Sequence, residues 1–565
     1  MEYQVLSPYA EVDPIVQIGL SPRVPDLNQA TIGLYATFKE HWTLILMEIA
    51  KQLKQLYPGV EFSYFEYPKD LNAYTQVAEL AKDPEFRPKF EEWVGGVDGV
   101  IVANADAGSC TLYLTYNATF PEHLGKPTVL TVAKEFVDLA KRAAALRGVP
   151  ALRYAHFNLL DISFEPDLKP WVDTIIPERV ADAMDEIVAG LTEPLTSQEA
   201  EVPVLPPPNS TRVATKGNLQ EVNEYLYRRG WTYGMPVIPP TEDAVKEMLA
   251  GTDLPPDHVV AKIPPLMGRA TVEKIAVNGV MAGCLPTHLP ALIAVVEALA
   301  DPGSWVEGYT CSVASWAPLI IVNGPARKDL GLCDGPTALS PYKKGNAAVG
   351  HAVGLMVMNL AGIKAGREDM ALFGHEGRFG MCLAEKEEDS PWEPLHVYYG
   401  LSPQDSAVTV SWPNTRSIFI FPENVGAVLK GMCDNIPAFG CDPGCTTIMC
   451  PPLAKLLAAN GFSRTGLVDY LVEYARIPTT QLNVRWLIGN HHRPQNVPLP
   501  LDPTRSVRKF WSGMHLPIVV AGGTGPALAF YGGGGDHGGP ITKRMRLPER
   551  WSELVAQYKD YEEEI

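Results

Sequence analysis

The sequence predicts an α/β protein with two parts: an N-terminal doubly wound parallel sheet and a larger mixed α/β or α+β domain. Three observations predict this class. Apolar, β-rich runs alternate with helical patterns over residues 1–195, residues 196–217 form a proline-rich linker, and residues 218–565 mix strands and helices without a regular order. Because parallel strands need crossovers, the first pattern predicts a sheet with helices on both faces.

In the first part, apolar β-rich runs alternate with helical patterns along the chain. The predicted strands are 30–37, 60–67, 97–103, 128–132 and 151–157, and the predicted helices are 41–57, 74–94, 111–124, 134–146 and 178–191. Ligands of such sheets bind beyond the carboxyl ends of the strands, where the βα loops gather. We therefore look for chemistry in those loops.

The linker contains three consecutive prolines at 206–208, and less regular elements follow it. Asn218 is the predicted N-cap of a helix that ends at Gly230, and the prolines of 231–241 predict an extended segment. Asn346 is expected to cap a helix. Further predicted strands are 317–323, 407–411, 446–450 and 517–521, and further predicted helices are 272–281, 289–299, 346–360 and 452–459. The sequence shows no internal repeat and leaves the topology of this part open.

Composition and charge limit the function classes. Of 565 residues, 46% are hydrophobic and 20% are charged, which is typical of a globular protein. A net charge of −18 disfavours nucleic acid and anionic membranes as partners. The start lacks a signal-peptide pattern, and the longest apolar run, 291–300, is shorter than the roughly 20 residues that span a membrane. We expect a cytoplasmic protein with a small-molecule substrate, and we leave open a homo-oligomer and the identity of any cofactor.

The first candidate site is the turn at 106–111, which follows a predicted strand and opens a helix. Cys110 lies near the helix N-terminus, where unpaired N–H groups stabilise a thiolate or bind an anion. Ser109 and Thr111 would then contact the substrate. The alternative is a tight turn with a buried cysteine.

The chain resembles a known family at this turn. The run VDGVIVANADAGSCTLYLTYNATFPEHLGKPTVLTV (97–132) is similar to the UGSC family, which carries selenocysteine or cysteine followed by Gly-Ser-Cys after a strand. The run TIGLYATFKEHW (31–42) resembles that family's opening segment. The resemblance implies a thiol or selenol redox protein without a settled substrate. Here Ala107 replaces the first redox position, so no vicinal pair with Cys110 can form.

The second part resembles a domain that often accompanies this family, marked by the pattern G-W-T-D-G-L-P-V-V-P-P-T. The chain reads GWTYGMPVIPPT at 230–241, so Tyr233 stands where the pattern has Asp and adds a phenol that can bind a substrate or act as an acid. Further similar runs are 272–284, 319–331, 373–397 and 518–526. These runs carry most of the remaining candidate residues.

The densest polar run of the chain, 375–396, supplies the second candidate site. His375, Cys382, Glu385 and His396 are the predicted catalytic residues, because histidine, thiol and carboxylate groups move protons. The same side chains could instead bind zinc, although their spacing is not an established one. Carboxylates at 386–389 are expected to face water.

Cysteine and glycine runs supply two more candidates. The spacing of Cys433, Cys441, Cys445 and Cys450 suggests an iron–sulfur cluster or zinc, but a strand at 446–450 leading into a helix would point alternate residues to opposite faces. The glycine runs at 521–526 and 532–539 either cup an anion or form a lid. The remaining predicted substrate contacts are Asn278, Asn323, Arg327, Gly523 and Gly525.

These features leave three hypotheses for function. The first is an enzyme that acts on a small polar organic molecule by acid–base or thiolate-assisted lyase or hydrolase chemistry, in a pocket between the two parts. The second is a thiol-dependent reductase that uses Cys110 with an external thiol. The third is a non-catalytic ligand-binding or scaffold subunit, which the loss of sulfur at Ala107 and of Asp at Tyr233 would favour.

Overall fold

A computed structural model of the chain gives the positions of most residues. It describes residues 1–36, 40–65, 79–157, 171–201, 211–421, 424–436, 444–478, 504–510, 516–533 and 539–558. The fold is mixed α/β, as the sequence predicts, with a five-stranded parallel sheet near the N-terminus and two mixed four-stranded sheets further along the chain.

The N-terminal sheet is parallel throughout and has helices as crossovers. The chain begins with β1 (Tyr3–Leu6), and the sheet follows in the order β3-β2-β4-β5-β6. Its strands are β2 (Thr31–Ala36), β3 (Glu61–Tyr64), β4 (Gly99–Ala105), β5 (Thr128–Val132) and β6 (Arg153–His156), and its helices are α1 (Glu40–Leu56), α2 (Phe86–Gly95), α3 (Gly108–His123), α4 (Val137–Ala145) and α5 (Ile176–Thr192). The buried strands are apolar because helices cover both faces.

One predicted helix of this part is wrong over much of its length. The pattern at 74–94 predicts a helix, but α2 begins only at Phe86, and residues 74–78 lie outside the described residues. Asp83 accepts hydrogen bonds from the N–H groups of Glu85 and Phe86 at 2.8 and 3.2 Å, and Pro84 follows it. A side chain that binds these N–H groups favours a turn at this point, so the helix starts after it.

The first residues of the chain lie against the second part. β1 pairs with β7 (Val213–Gly217), which follows the short helix α6 (Ser197–Ala200). The N–H groups of Leu6 and Ala10 donate to the carbonyl oxygens of Pro240 and Asn359, at 2.9 and 3.0 Å. The division of the chain at 196–217 stays a prediction, and the N-terminal segment crosses it. The helix predicted from Asn218 is present as α7 (Leu219–Arg228), with Asn218 as its N-cap.

The second part contains the remaining elements. They are α8 (Glu242–Met248), β8 (Val259–Ile263), β9 (Gly268–Thr271), α9 (Val272–Met281), α10 (Leu289–Leu299), α11 (Val306–Cys311), β10 (Leu319–Asn323), α12 (Ala326–Asp329), α13 (Lys344–Leu360), β11 (Met381–Ala384), α14 (Leu395–Tyr398), β12 (Ala407–Ser411), β13 (Thr415–Ile420), α15 (Val425–Asn435), β14 (Cys445–Met449), α16 (Pro451–Ala459), α17 (Arg464–Tyr474), β15 (Arg476–Pro478), β16 (Ser506–Arg508), β17 (Ile518–Val520), β18 (Ala527–Gly532), β19 (Ile541–Arg544) and α18 (Trp551–Tyr558).

Two mixed sheets pack face to face between layers of helices. The first sheet has the order β11-β10-β12-β19, and the second has the order β17-β14-β18-β13. Leu319 and Ile321 of β10 pack with Val519 of β17 and Tyr531 of β18 between the sheets. Helices α10 and α13 contact the outer face of the first sheet. Leu453 of α16 belongs to the core beyond the second sheet. The order of layers is therefore helix, sheet, sheet, helix.

The two sheets repeat one strand pattern. The first two strands pair in parallel, β11 with β10 and β17 with β14. The second and third strands pair antiparallel, β10 with β12 and β14 with β18. The third strand and the last also pair antiparallel, β12 with β19 and β18 with β13. The edge strands are exchanged, because β13 follows β12 but joins the second sheet, and β19 follows β18 but joins the first. The sequence does not reveal this repeat of topology.

The predicted cap at Asn346 is wrong. Helix α13 starts after Lys343, and Asn346 lies inside its first turn. The Asn346 side chain accepts from the N–H of Cys333 at 2.8 Å and donates to the carbonyl oxygen of Cys382 at 2.9 Å. Because these partners lie on other elements, Asn346 ties α13 to β11 rather than starting the helix.

No single helix in the described residues is both long enough and apolar enough to cross a membrane. The segments Pro286–Leu299 and Pro302–Cys311 reach that length only together, and they are bent by 79° where they meet.

Candidate functional site

The turn between β4 and α3 lies at the switch point of the N-terminal sheet. From β2 the chain passes to β3 on one side, and from β4 it passes to β5 on the other. The connections that leave the carboxyl ends of β2 and β4 therefore run to opposite sides, and ligands of open α/β sheets bind in the crevice at such a point. The sequence places its first candidate site at this turn.

Helix α3 begins without a side-chain cap. Ala107 is its N-cap, with an extended backbone (φ −151°, ψ 156°), and the first helical hydrogen bond runs from the N–H of Thr111 to the Ala107 carbonyl oxygen at 2.7 Å. The described residues offer no acceptor to the N–H groups of Gly108 and Ser109. Cys110 lies in this first turn and is 8% exposed. Unpaired N–H groups at a helix start bind negative charge.

Two buried polar side chains flank this turn without partners. Asn104 and Thr111 are both 0% exposed, and among the described residues neither the Asn104 amide nor the Thr111 hydroxyl has a hydrogen-bond partner. A buried polar group left unpaired costs about 1–3 kcal/mol, so such groups usually meet a partner. The carboxylate of Asp106, by contrast, accepts from the Trp42 indole N–H at 2.9 Å.

The second part of the chain covers this turn. A Cβ on Gly108 would overlap the Cys311 carbonyl oxygen at the end of α11 and would lie 3.1 Å from the Cβ of Met370. Only glycine permits this approach. One and a half turns along α3, the Tyr113 hydroxyl donates to the Glu307 carboxylate at 3.0 Å, and burial raises the pKa of Glu307. The start of α3 is thus enclosed between the two parts.

A second polar cluster surrounds Glu385, beyond the ends of β10 and β11. The Glu385 carboxylate is fully buried and accepts from the Asn323 amide at 2.6 Å, the N–H of Leu395 at 2.7 Å and the Arg464 guanidinium at 3.0 Å. The N–H of Val520 adds a longer contact at 3.4 Å. Donors from both sheets and from α17 therefore satisfy this carboxylate.

Glu387 and Arg327 extend the same cluster. The Glu387 carboxylate accepts from the N–H of Gly324 at 2.6 Å and forms an ion pair with Arg327 at 3.1 Å. Contrary to the expectation of a solvated carboxylate, its side chain is only 14% exposed. The ring of His396 is fully buried, lies 3.9 Å from Glu387 and has no hydrogen-bond partner among the described residues.

The structure brings Asn323, Arg327, Glu385 and His396 together, although the sequence assigns the first two to substrate contacts and the last two to catalysis, whereas Cys110 belongs to the group at the start of α3. The second part reaches α3 through Cys311, which precedes β10, whereas the Glu385 cluster lies beyond the other end of that strand. No hydrogen bond or ion pair among the described residues joins the two groups. The shared pocket between the two parts therefore stays a prediction.

A comparison with protein-family models bears on the N-terminal part. Residues 4–193 match the UGSC family. The match confirms the resemblance seen at 31–42 and 97–132, and we call this region the UGSC-like part. No curated protein and no solved structure matches the chain. The resemblance of the second part to the companion domain stays a prediction.

The other predicted catalytic residues have local partners. The His375 ring accepts from the N–H of Gly377 at 2.8 Å, and burial lowers its pKa. Cys382 lies in β11 within the main hydrophobic core, and burial raises the pKa of its thiol to about 12.

Asn278 and Tyr233 hold the second part together. Asn278 is fully buried, donates to the carbonyl oxygens of Pro8 and Lys274 at 3.1 and 2.9 Å, and accepts from Asn359 at 2.8 Å. These bonds use both N–H groups of the Asn278 amide and one of the two acceptor positions of its oxygen. The Tyr233 hydroxyl donates to the Arg378 carbonyl oxygen at 3.1 Å.

The glycine and cysteine candidates lie near the second sheet. Gly523 and Gly525 follow β17 in a surface loop, where an added Cβ on Gly523 would lie 3.6 Å from Pro336. Cys445 is buried in β14, and Cys450 is the N-cap of α16. Cys441 and the glycines at 534–538 lie outside the described residues. Within those residues, no three His, Cys, Asp or Glu side chains are arranged to hold a metal ion.

Sequence reasoning missed three residues that shape these clusters. Asn104 lies two residues before the turn at 106–111. A polar residue at the end of a buried strand is a sequence signal that could have identified it. Cys311 and Arg464 gave no such signal, because each lies far along the chain from the residues that it contacts. Their roles arise only when α11 packs on α3 and α17 brings Arg464 to Glu385.

Proposed function

We propose that the chain is an enzyme that acts on a small polar organic molecule at the start of α3, with Cys110 as the nucleophile or as a thiolate that assists a lyase- or hydrolase-type reaction. One observation carries the proposal: Cys110 lies in an uncapped helix start at the switch point of the UGSC-like part, between buried and unpartnered Asn104 and Thr111. A bound substrate would supply the partners that the described residues do not.

The position of Cys110 suits a thiolate mechanism. The partial positive charge of a helix start stabilises a thiolate and an anionic intermediate alike. The Glu385 cluster takes no part in this proposal, because donors of the chain already satisfy its carboxylates. The cytoplasmic location and the homo-oligomer remain predictions from the sequence.

The proposal can be tested although the substrate is unidentified. The purified chain is incubated with a cell extract freed of macromolecules, and mass spectrometry follows which small molecules disappear and which form. We expect at least one conversion that Cys110→Ser abolishes and Cys284→Ser leaves intact. Cys284 is a matched control because it is a cysteine located after α9 and away from α3. A conversion that persists in Cys110→Ser would contradict the proposed role of the thiol.

A second candidate is a thiol-dependent reductase, and one observation favours it. The carbonyl of Cys311 lies against Gly108, two residues before Cys110, so the second part brings another cysteine to a turn that has lost its first sulfur position to Ala107. In this mechanism Cys110 attacks an external disulfide and releases one thiol. Cys311 then attacks the Cys110 sulfur of the mixed disulfide and releases the second thiol, and an external thiol reduces the resulting Cys110–Cys311 disulfide to complete the cycle.

Intact-mass measurement with glutathione disulfide separates this candidate from the first. A reductase forms a transient glutathione adduct that accumulates in Cys311→Ser and is absent in Cys110→Ser. If no adduct forms in either variant, the reductase is excluded. If neither the extract nor glutathione disulfide is converted, the non-catalytic ligand-binding or scaffold subunit becomes the leading hypothesis.

A further inference from the structure

We infer that the site at the start of α3 binds the carboxylate of a small organic acid, and that Asn104 forms hydrogen bonds with a second polar group beside that carboxylate. This inference rests on the proposed function and names the class of substrate for the same site.

Backbone N–H donors without acceptors among the described residues lie together at the start of α3. The N–H groups of Gly108 and Ser109 point out of the start of a 16-residue helix and have no acceptor among the described residues. In several other helices of the chain, a side chain occupies this place. Asn218, Thr241, Thr271, Asn424 and Ser463 cap their helices in this way. Ala107 has no oxygen to offer, so the donors of α3 are left for an anion.

The buried side chains of Asn104 and Thr111 flank this turn and have no hydrogen-bond partner among the described residues. The Cα–Cβ bonds of a helix tilt toward its N-terminus, so the Thr111 hydroxyl is directed back toward the first turn. Asn104 lies at the end of β4, where the register against β5 breaks between Val102 and Ala105. Both side chains are 0% exposed, and the unpaired atoms are the Asn104 Oδ1 and Nδ2 and the Thr111 Oγ1. A polar ligand at this site can form hydrogen bonds with all three atoms.

The unpaired groups indicate the chemistry of that ligand. The N–H groups and the Thr111 hydroxyl suit a carboxylate, which accepts several hydrogen bonds. Asn104 offers one acceptor and one donor group, which suits a neighbouring hydroxyl or amide on the same molecule. The Cys311 carbonyl and Met370 pack directly on Gly108, so little space is left on that side and the ligand must be small.

Two alkylating reagents of nearly equal size test the inference. Iodoacetate carries a carboxylate and iodoacetamide a neutral amide, and both modify thiols. The rates of modification of Cys110 and of Cys433 are followed by peptide mass spectrometry, with Cys433 of α15 as the internal reference. We expect the iodoacetate-to-iodoacetamide rate ratio at Cys110 to exceed that at Cys433 by about tenfold, which corresponds to about 1.4 kcal/mol.

Variants and competitors locate the effect. Asn104→Leu and Thr111→Val should each lower the ratio at Cys110, whereas Thr119→Val should not, because Thr119 bonds to the Tyr116 carbonyl further along the same helix. Glycolate should slow the modification of Cys110 more than its neutral amide does. Stronger protection by inorganic phosphate than by glycolate would overturn the carboxylate assignment in favour of a phosphate ester.

The remaining outcomes separate this inference from the proposed function. If Cys110 reacts with both reagents but shows the same ratio as Cys433, the carboxylate inference fails and the thiol site stands. If Cys110 reacts with neither reagent, a two-carbon acid cannot reach the thiol, and both the inference and the proposed function fail.

Discussion

Asn104 and Asn323 occupy similar places in two regions of the molecule. Each lies near the carboxyl end of a buried strand, Asn104 in β4 and Asn323 in β10, and each is 0% exposed. Their surroundings differ. The Asn323 amide group donates to Glu385 at 2.6 Å and to Glu387 at 3.1 Å, whereas neither end of the Asn104 amide has a partner among the described residues.

The difference teaches how to distinguish structural from functional polar groups in this protein. Around Glu385 the chain supplies donors from three segments, and the carboxylates serve as fixed links between the sheets. At the start of α3 the described part of the chain offers no acceptors to the N–H donors, which a ligand can use. Both asparagines are fully buried, and Oδ1 lacks a donor in both among the described residues, so the Nδ2 group separates them: it has carboxylate acceptors in Asn323 and none in Asn104.

The largest expected effect comes from removing Arg464, and it tests whether the Glu385 region is structural. Arg464 and Glu385 form an ion pair at 3.0 Å with side chains only 1% and 0% exposed. Arg464→Met leaves a buried carboxylate short of its cation and should lower the free energy of unfolding by about 3–5 kcal/mol. Denaturant titration measures it. Lys430→Met, at the exposed pair with Asp434, is the control and should cost less than about 1 kcal/mol.

A second variant guards this prediction against a general packing defect. Glu385→Gln combined with Arg464→Met removes both charges and should recover part of the lost stability. If the double variant is no more stable than Arg464→Met, the loss comes from packing and the ion pair is not the link between the sheets.

A buried histidine extends the comparison to pH. His288 resembles Asn323, because its ring accepts from the N–H of Leu285 and donates to the Leu330 carbonyl oxygen, both at 3.1 Å. Burial lowers the pKa of His288 to about 4 from 6.5. The unfolded chain therefore binds the proton first, so the stability from neutral His288 is complete above about pH 6.5 and is lost as the pH falls toward 4, by about 3 kcal/mol in all.

Unfolding free energies measured between about pH 8 and pH 4.5 check this prediction. His288→Gln should lower stability at the higher pH, because it disturbs two hydrogen bonds, and should remove this part of the pH dependence. An unchanged slope in His288→Gln would show that other groups set the acid sensitivity, and that His288 is not held neutral by its partners.

Direct substitution of the two asparagines tests the comparison itself. Asn323→Leu deprives two carboxylates of a donor and should cost about 2 kcal/mol of unfolding free energy. Asn104→Leu replaces an amide that has no partner among the described residues, so it should leave stability unchanged or raise it by up to about 1–3 kcal/mol. Both are measured by denaturant titration without added ligand. Equal losses in the two variants would remove the distinction between the regions.

The sequence predicted the fold best where the pattern is local. The strands at 128–132 and 407–411 and the helices at 272–281 and 289–299 are found with the predicted bounds. These segments are mostly apolar, and a capping residue such as Thr271 marks where a helix starts. The helix predicted at 74–94 failed because Asp83 binds the local N–H groups, an effect that hydrophobic periodicity does not include.

The candidate sites were predicted in part, for the same reason. The turn at 106–111 could be placed, because a strand, a small-residue turn and a helix are local features. That Asn323 is bonded and Asn104 is not depends on Glu385 and Glu387, which come from β11 and the segment after it. Contacts between distant segments also decide the roles of Cys311 and Arg464, and a single sequence does not encode them as a pattern.

The smallest expected effect comes from adding a side-chain cap to the start of α3. Ala107 already has the extended backbone of an N-cap residue, and Ala107→Ser adds a hydroxyl that can accept from the N–H groups of the first turn. This cap should raise the free energy of unfolding by about 1 kcal/mol, the size of the loss expected for the matched change Asn218→Ala at the start of α7. The same serine competes with a bound carboxylate, so it should also lower the preference of Cys110 for iodoacetate. A serine that stabilises the chain and leaves that preference unchanged would mean that the donors of α3 are not where the anion binds.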